Sequence, residues 1–176
     1  MKTILLIIFL GVSISSVSQG RQNPAIKTSG SIFDVPDADV KPDPSLKYNI
    51  VIEMVSGSEN SGEINQALNN VARLINLHVI GGVPKENLDV AVVIHGEATY
   101  TITDSKAYSA RYHEDNPNLE LYKELADFGV KFIACGQSLI ARNVERSSII
   151  PQIRVGTSML TTVTTYQLKG YAFLKF

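Results

Sequence analysis

The chain has 176 residues, of which 44% are hydrophobic and 19% are charged, a composition typical of a globular protein with one core. Lys and Arg number 16 against 17 Asp and Glu, and no segment concentrates basic residues, so we expect no nucleic-acid partner. The single cysteine, Cys135, excludes an intramolecular disulfide and a metal site made of cysteines alone.

Residues 1–20 have the order of a secretory signal peptide. Lys2 precedes an apolar run over residues 4–12, and small residues follow, with suitable cleavage sites after Ser18 and after Gly20. The apolar run is about half of the roughly 20 residues that a membrane-spanning helix requires, so a retained anchor is the less favoured alternative. We expect an exported protein, periplasmic or secreted, with no stable membrane insertion after cleavage.

Residues 21–47 are predicted to form an extended N-terminal arm. Four prolines in this segment interrupt any helix or central strand. The apolar side chains of Ile32, Phe33 and Val35 are expected to pack on the body of the protein or on a neighbouring subunit, because such side chains are rarely left together in water.

The first half of the body alternates between strand and helix patterns. A β-rich run from Tyr48 ends at Val55, and a Gly- and Ser-rich loop follows it. A helical stripe of apolar residues comes next, with Asn60 and Glu63 at the spacing of a capping box. Residues 88–94 form an almost unbroken apolar run, as expected for a strand covered on both faces of a parallel sheet.

The second half continues the alternation. After a polar stretch over residues 97–115 that we interpret as irregular, Asn116 and Pro117 are placed to open a helix that Gly129 ends. The remaining predicted elements are a strand that stops at Cys135, a short helix over 136–142, a strand over 153–155, a helix over 157–169 and a last strand over 171–176.

Five strands interleaved with helices over residues 48–176 predict one α/β domain. We expect a three-layer α/β/α sandwich with a mainly parallel five-stranded sheet and flavodoxin-like layering. Sheets of this kind bind ligands at the carboxyl ends of their strands. The residues predicted at that rim are Ser56, Gly57, His95, Gly96, Glu97, Cys135, Gly136, Gly156 and Thr157.

Cys135 and His95 are the candidates for chemistry at this rim. Cys135 lies where a strand turns into a helix, and the positive end of that helix favours the thiolate over the thiol. The alternative is that Cys135 is a small buried hydrophobic residue. His95 has either a role in the site or only a structural role at a strand end, and its pairing with Cys135 requires the second and third strands to be neighbours.

Several other kinds of site are not supported. The three histidines lack metal-ligand spacing and no HExxH motif is present, so we expect no metal. The loop 56–62 resembles a phosphate cradle but lacks a Walker lysine and carries an acidic residue, and no GxSxG elbow is present. We therefore expect no cofactor. Acid–base catalysis by His95 and Glu97 on a small ligand remains an alternative.

Three stretches of the body are distinctive together: HGEA after the second strand, LADFGVKFIACGQSLIARN around Cys135, and the ending VGTSMLTTVTTYQLKGYAFLKF. With these stretches the body resembles the DsrE/DsrF-like family of sulfur-relay and related proteins. It covers residues 48–176 and does not include the arm.

The resemblance implies a homo-oligomer, a trimer or hexamer, and a strand-end cysteine that accepts sulfane sulfur as a persulfide. By its position in the block this residue is Cys135, and its sulfur would come from a donor protein or a small sulfur compound. The competing hypothesis is a non-catalytic oligomeric binding or assembly module in which Cys135 is buried.

Overall fold

The computed structural model describes residues 20–176. The predicted signal peptide, residues 1–20, lies outside the described residues except for Gly20. Within residues 20–176, no helix combines the length and the apolar character needed to cross a membrane.

An all-parallel, five-stranded sheet lies at the centre of the protein, with the strand order β4-β3-β2-β1-β5. The strands are β1 (Tyr48–Met54), β2 (Leu88–Ile94), β3 (Lys131–Cys135), β4 (Ile153–Gly156) and β5 (Ala172–Lys175). The predicted α/β fold with five strands is confirmed. β2 and β3 are hydrogen-bonded neighbours, which the sequence could not establish.

Helices connect the strands, as parallel pairing requires. They are α1 (Gln66–Ile80), α2 (Ser105–Tyr112), α3 (Leu119–Phe128), α4 (Gly136–Ala141) and α5 (Met159–Leu168), with short 3₁₀ segments at Lys85–Asn87, Gly96–Ile102 and Arg146–Ser148. The chain moves across the sheet in one direction from β1 to β4 and then returns to place β5 beside β1. Because such crossovers are right-handed, this reversal places α5 on the opposite face of the sheet from the helices before it.

The two faces of the sheet have separate cores because side chains alternate along each strand. Ile52, Val92 and Phe132 point into the larger core, which α1, α3 and α4 cover. On the other face, which we call the α5 face, the buried residues are Val51, Ala91, Val93, Ile133 and Val163. Of these only Val163 belongs to a helix, so α5 supplies the cover of this face within residues 20–176.

Two helix starts differ from the predicted ones. α1 begins at Gln66, because the side chain of Asn65 accepts the backbone N–H groups of its first turn, while Asn60 and Glu63 form a turn before the helix. α3 begins at Leu119, and the side chain of Asn116 instead donates to backbone carbonyls of the preceding segment.

The stretch predicted to be irregular contains the 3₁₀ segment Gly96–Ile102 and α2. The sequence of α2 carries no apolar stripe, since Tyr108 is its one buried residue. Instead, the carboxylate of Asp104 starts this helix by accepting the N–H of Ala107 at 2.7 Å.

The arm lies against the body. Ile26 and Ile32 are 1% exposed, whereas Phe33 and Val35 remain largely exposed, so two isoleucines rather than the run 32–35 make the contact. The buried side chain of Asn76 in α1 accepts the N–H groups of residues 25 and 26 and donates to the carbonyls of residues 26, 29 and 30. One side chain thus bonds to five backbone groups of the arm.

Candidate functional site

The carboxyl ends of the strands bring several of the predicted residues to one edge of the sheet. Cys135 pairs with Gly156 across β3 and β4, and Ile94 pairs with Ala134 across β2 and β3. His95, the next residue after Ile94, therefore lies beside Cys135 in the register. Neighbouring strands are about 4.8 Å apart, so the larger separation considered from the sequence does not apply.

Cys135 lies where two connections leave the sheet on opposite faces. The chain after β3 enters α4 on the face of the larger core, and the chain after β4 enters α5 on the α5 face. In open α/β sheets, the crevice between two strands whose connections diverge in this way is where ligands bind. The topology therefore places Cys135 at the position that the fold favours for a site.

Backbone N–H groups from two helices meet at the sulfur. The N–H of Met159, the first residue of α5, donates to Cys135 Sγ at 3.1 Å. The N–H groups of Gln137 and Ser138, in the first turn of α4, and the hydroxyl of Ser138 lie near this sulfur and also lower the pKa of the thiol. Cys135 is 5% exposed, but its sulfur is surrounded by hydrogen-bond donors and not only by aliphatic groups.

These donors shift the thiol toward its ionised form. Burial raises the pKa of Cys135, because it disfavours the charged thiolate. The hydrogen bonds from Met159, Ser138 and Gln137 together outweigh burial and hold the pKa below its ordinary value. The thiolate fraction at neutral pH is therefore larger than that of an ordinary cysteine.

Ser138 links the ends of β2 and β3. Its side chain is buried, its hydroxyl oxygen accepts the N–H of Gly96 at 3.4 Å, and the same hydroxyl lowers the pKa of the Cys135 thiol. Sequence analysis did not select Ser138, because a serine within a short helix carries no distinctive signal before the strand order is known.

Glycines permit the close packing of this edge. Gly96 has φ +59°, and a Cβ at this position would lie 2.7 Å from the carbonyl oxygen of Val55. A Cβ at Gly136 would lie 2.8 Å from the carbonyl oxygen of Gly156. Gly96 and Gly136, both predicted rim residues, therefore allow the loops to approach the cysteine.

His95 pairs with a carboxylate on the neighbouring strand β1. Its Nε2 lies 2.8 Å from Glu53 Oε1, and Lys175 Nζ of β5 lies 3.4 Å from the same oxygen. Glu53 is 8% exposed. This pair could not be predicted from the sequence, since Glu53 lies within a run otherwise typical of a buried strand.

Glu97 does not contribute to this pair. Its carboxylate is 3.3 Å from Arg142 Nη2, and its side chain is 60% exposed. The carboxylate beside His95 is thus that of Glu53. The acid–base hypothesis, which required His95 and Glu97 to converge, finds these side chains with different partners.

The other predicted rim residues lie around the site. Ser56 and Gly57 line a cavity of about 340 Å³ between the loop after β1 and the start of α1, and Cys135 is not among its lining residues. Thr157 is exposed and precedes the actual cap of α5, Ser158, whose hydroxyl oxygen accepts the N–H of Leu160. Gly156 contacts the site directly through its strand pairing with Cys135.

The part of the chain that the structure describes contains no group of three or more His, Cys, Asp or Glu side chains placed to hold a metal ion.

Comparisons with known proteins identify the family and the fold of the domain. The family model described as DsrE/DsrF-like matches residues 47–176. No curated protein sequence gives a significant match.

Two solved structures share the fold. A protein of unknown function from Methanobacterium thermoautotrophicum, MTH1491, has a TM-score of 0.53 and 19% identity, with 73% of this chain and 99% of that chain covered. The ychN protein from E. coli has a TM-score of 0.54 and 16% identity, with the same shares covered. The family match over residues 47–176, which is more than half of the chain, shows that the chain belongs to the DsrE/DsrF-like family.

Proposed function

We propose that Cys135 accepts sulfane sulfur and carries it as a persulfide. The observation that carries this proposal is the convergence of N–H donors from α4 and α5 on the Cys135 sulfur. A thiolate is the nucleophile in such transfers, and these donors favour it. Membership in a family that includes sulfur-relay proteins supports the same chemistry.

The proposed transfer conserves atoms and electrons. The Cys135 thiolate attacks the terminal sulfur of a donor persulfide, R–S–SH, and a new S–S bond forms at Cys135. The S–S bond of the donor breaks, and the donor leaves as its thiolate, which takes up the proton released by Cys135. The donor is a small sulfur compound or a partner protein, and no cofactor is needed because no net oxidation occurs.

Mass spectrometry of the folded protein tests this proposal. After incubation with polysulfide or thiosulfate, we expect an adduct of one sulfur atom on Cys135, removable by a reducing thiol. The variant Cys135→Ser, which is nearly isosteric, should show no adduct. An accessible Cys135 that gains no sulfur from either donor would refute sulfur transfer.

A non-catalytic assembly module is the second candidate, and the low exposure of Cys135 favours it. It predicts that a thiol reagent labels Cys135 only after denaturation. Sulfur transfer predicts labelling of the native protein, so native and denatured labelling rates separate the two candidates.

We further propose that the protein is a homo-oligomer, a trimer or hexamer. Large apolar side chains on α4, α5 and β5 are exposed, and a second copy of the chain would cover them. They are Ile140, Leu160, Leu168, Phe173 and Leu174.

Light scattering coupled to size exclusion tests this assembly. We expect a mass of several subunits for the wild type and a smaller mass for the double variant Leu160→Glu/Leu168→Glu. The exposed residue Lys106 on α2 provides a control, since Lys106→Glu should leave the mass unchanged. A monomeric wild type would refute the proposal.

Export to the periplasm or the exterior completes the proposed function. Its support is the signal-peptide pattern of residues 1–20. N-terminal sequencing of the mature protein after expression of the full chain should find a start at residue 19 or 21. Retention of an uncleaved chain in the cytoplasmic fraction would contradict export.

A further inference from the structure

Four side chains on adjacent strands form a line that we call the polar row: Lys175 of β5, Glu53 of β1, His95 after β2 and Cys135 of β3. The strand order places β5, β1, β2 and β3 side by side, so the row crosses the sheet at its carboxyl edge. Within the row, Glu53 Oε1 lies 2.8 Å from His95 Nε2 and 3.4 Å from Lys175 Nζ.

Alternation along the strands places the row on the α5 face. Val51, Val93 and Ile133 are buried on this face, and Glu53, His95 and Cys135 each follow one of them by two residues. His95 has φ −152° and ψ −170°, so it continues the extended backbone of β2. His95 and Cys135 thus leave adjacent positions of neighbouring strands on the same side of the sheet.

Glu53 determines which nitrogen of His95 carries a hydrogen. A carboxylate can only accept, so Nε2 of His95 donates to Glu53 Oε1. In the neutral ring, Nδ1 then has the free lone pair. Among residues 20–176, no hydrogen bond is formed to this Nδ1, by Cys135 or by any other group, so His95 and Cys135 are related by their adjacent positions in the sheet and not by a contact.

We infer that His95 is the proton acceptor for the Cys135 thiol and that Glu53 is the residue that positions His95. A nucleophile, a histidine base and a carboxylate that orients the base form the arrangement that activates thiols and hydroxyls in many enzymes. This inference rests on the proposed function, because it assigns a proton path to the same sulfur.

In the proposed transfer, His95 Nδ1 takes the thiol proton of Cys135. This gives a thiolate and an imidazolium, whose Nε2–H remains hydrogen-bonded to Glu53 Oε1. The thiolate attacks the terminal sulfur of the donor R–S–SH, and R–S⁻ leaves. The imidazolium returns its proton to R–S⁻, so the products are the Cys135 persulfide, R–SH and neutral His95.

Few other charged groups face His95. Glu53 and Lys175 lie on its side of the sheet, and Cys135 lies on the next strand. α4 has no titratable side chain, and the only one of α5 is Tyr166, which packs against Tyr171 at the far end of that helix. A pH effect that requires both His95 and Cys135 can therefore be assigned to this pair.

The thiolate absorbance of the full chain, measured against pH with Cys135→Ser as the blank, tests the inference without requiring reagent access. His95→Gln should raise the apparent pKa of the Cys135 thiol by about one unit, which corresponds to about tenfold less thiolate below the midpoint. Glu53→Gln should shift the titration in the same direction. The controls His113→Gln, directly after α2, and Glu120→Gln, on α3, alter exposed residues and should leave the titration unchanged.

A second measurement follows His95 and leaves its pair with Glu53 unchanged. In the wild type, the NMR signal of His95 should change at the pH where thiolate absorbance changes, and in Cys135→Ser this step should be lost. Unchanged thiol titration in folded His95→Gln, or an identical His95 titration with and without Cys135, would overturn the inference. If the pKa shifts appear but Cys135 gains no sulfur, the proton path is supported and sulfur transfer is refuted. If Cys135 gains sulfur but the pKa shifts are absent, only the proton path is refuted.

Discussion

Ser138 contributes to the properties of the Cys135 thiol through a single hydroxyl group. Burial raises the pKa of the thiol, whereas this hydroxyl lowers it together with the backbone N–H groups of α4 and α5. Removing it leaves those donors in place, so Ser138→Ala isolates the contribution of one hydrogen bond.

We predict that Ser138→Ala raises the pKa of Cys135 and slows its alkylation at pH 7. A hydrogen bond worth about 0.5–1.5 kcal/mol corresponds to a rate lower by about 2- to 10-fold. At a pH above both pKa values the thiol is ionised in both proteins, and the rates should converge. Ser147→Ala, at an exposed position, is the control. A variant that reacts as fast as the wild type at pH 7 would show that the hydroxyl has no effect on the thiol.

The sequence identified the residues whose type alone suggests chemistry. Cys135 and His95 could be predicted as site residues, because thiols and imidazoles are rare in this chain and both lie at strand ends. Glu53 and Ser138 could not be predicted, because their roles depend on which strands are neighbours. Glu97 was chosen for its closeness to His95 in sequence, but the side chains of residues two apart at a strand end have different partners here.

At the scale of elements, the contact between the arm and α1 depends on Asn76. Its side chain is fully buried and bonds to five backbone groups of the arm. Buried backbone groups that lose their partners destabilise the folded state by about 1–3 kcal/mol each.

We therefore predict that Asn76→Ala lowers the free energy of unfolding by about 2–4 kcal/mol, less than the full sum because water reaches part of the arm. Urea denaturation measures this difference. Asn70→Ala, one and a half turns earlier on the same helix, is the matched control and should cost less than about 0.5 kcal/mol. Equal stabilities of the two variants would contradict the assigned role of Asn76.

Periodicity predicted the elements that bury an apolar face and missed those that do not. α1 and α3 each show a stripe of buried residues, and their existence was predicted from it. α2 buries Tyr108 alone and so leaves no stripe to recognise. The starts of α1 and α3 were misplaced by a few residues because several Asn residues compete for the capping position, and tertiary contacts decide among them.

At the scale of the whole molecule, the arm extends the family domain. The family model begins at residue 47, whereas Ile26 and Ile32 of the arm are buried against the body. Full burial of an isoleucine contributes about 1.5–3 kcal/mol.

A chain that starts at Lys47 should therefore be less stable than one that starts at Arg21, by about 3 kcal/mol or more in the free energy of unfolding. The double variant Ile26→Ala/Ile32→Ala should reproduce most of this loss. Phe33→Ala/Val35→Ala, which alters exposed neighbours, should have little effect. If the shortened chain keeps its melting temperature, the arm makes no contribution to stability.

The position of β5 has a consequence for the order in which the protein matures during synthesis. β5 follows every other element along the chain, yet it pairs with β1, the first strand. Until β5 has left the ribosome, one edge of β1 has no hydrogen-bonding partner and Glu53 lacks Lys175. Lys175, which pairs with Glu53, is thus synthesised after Cys135. A translation product truncated before β5 would contain the Cys135 thiol but would lack the ion pair between Lys175 and Glu53.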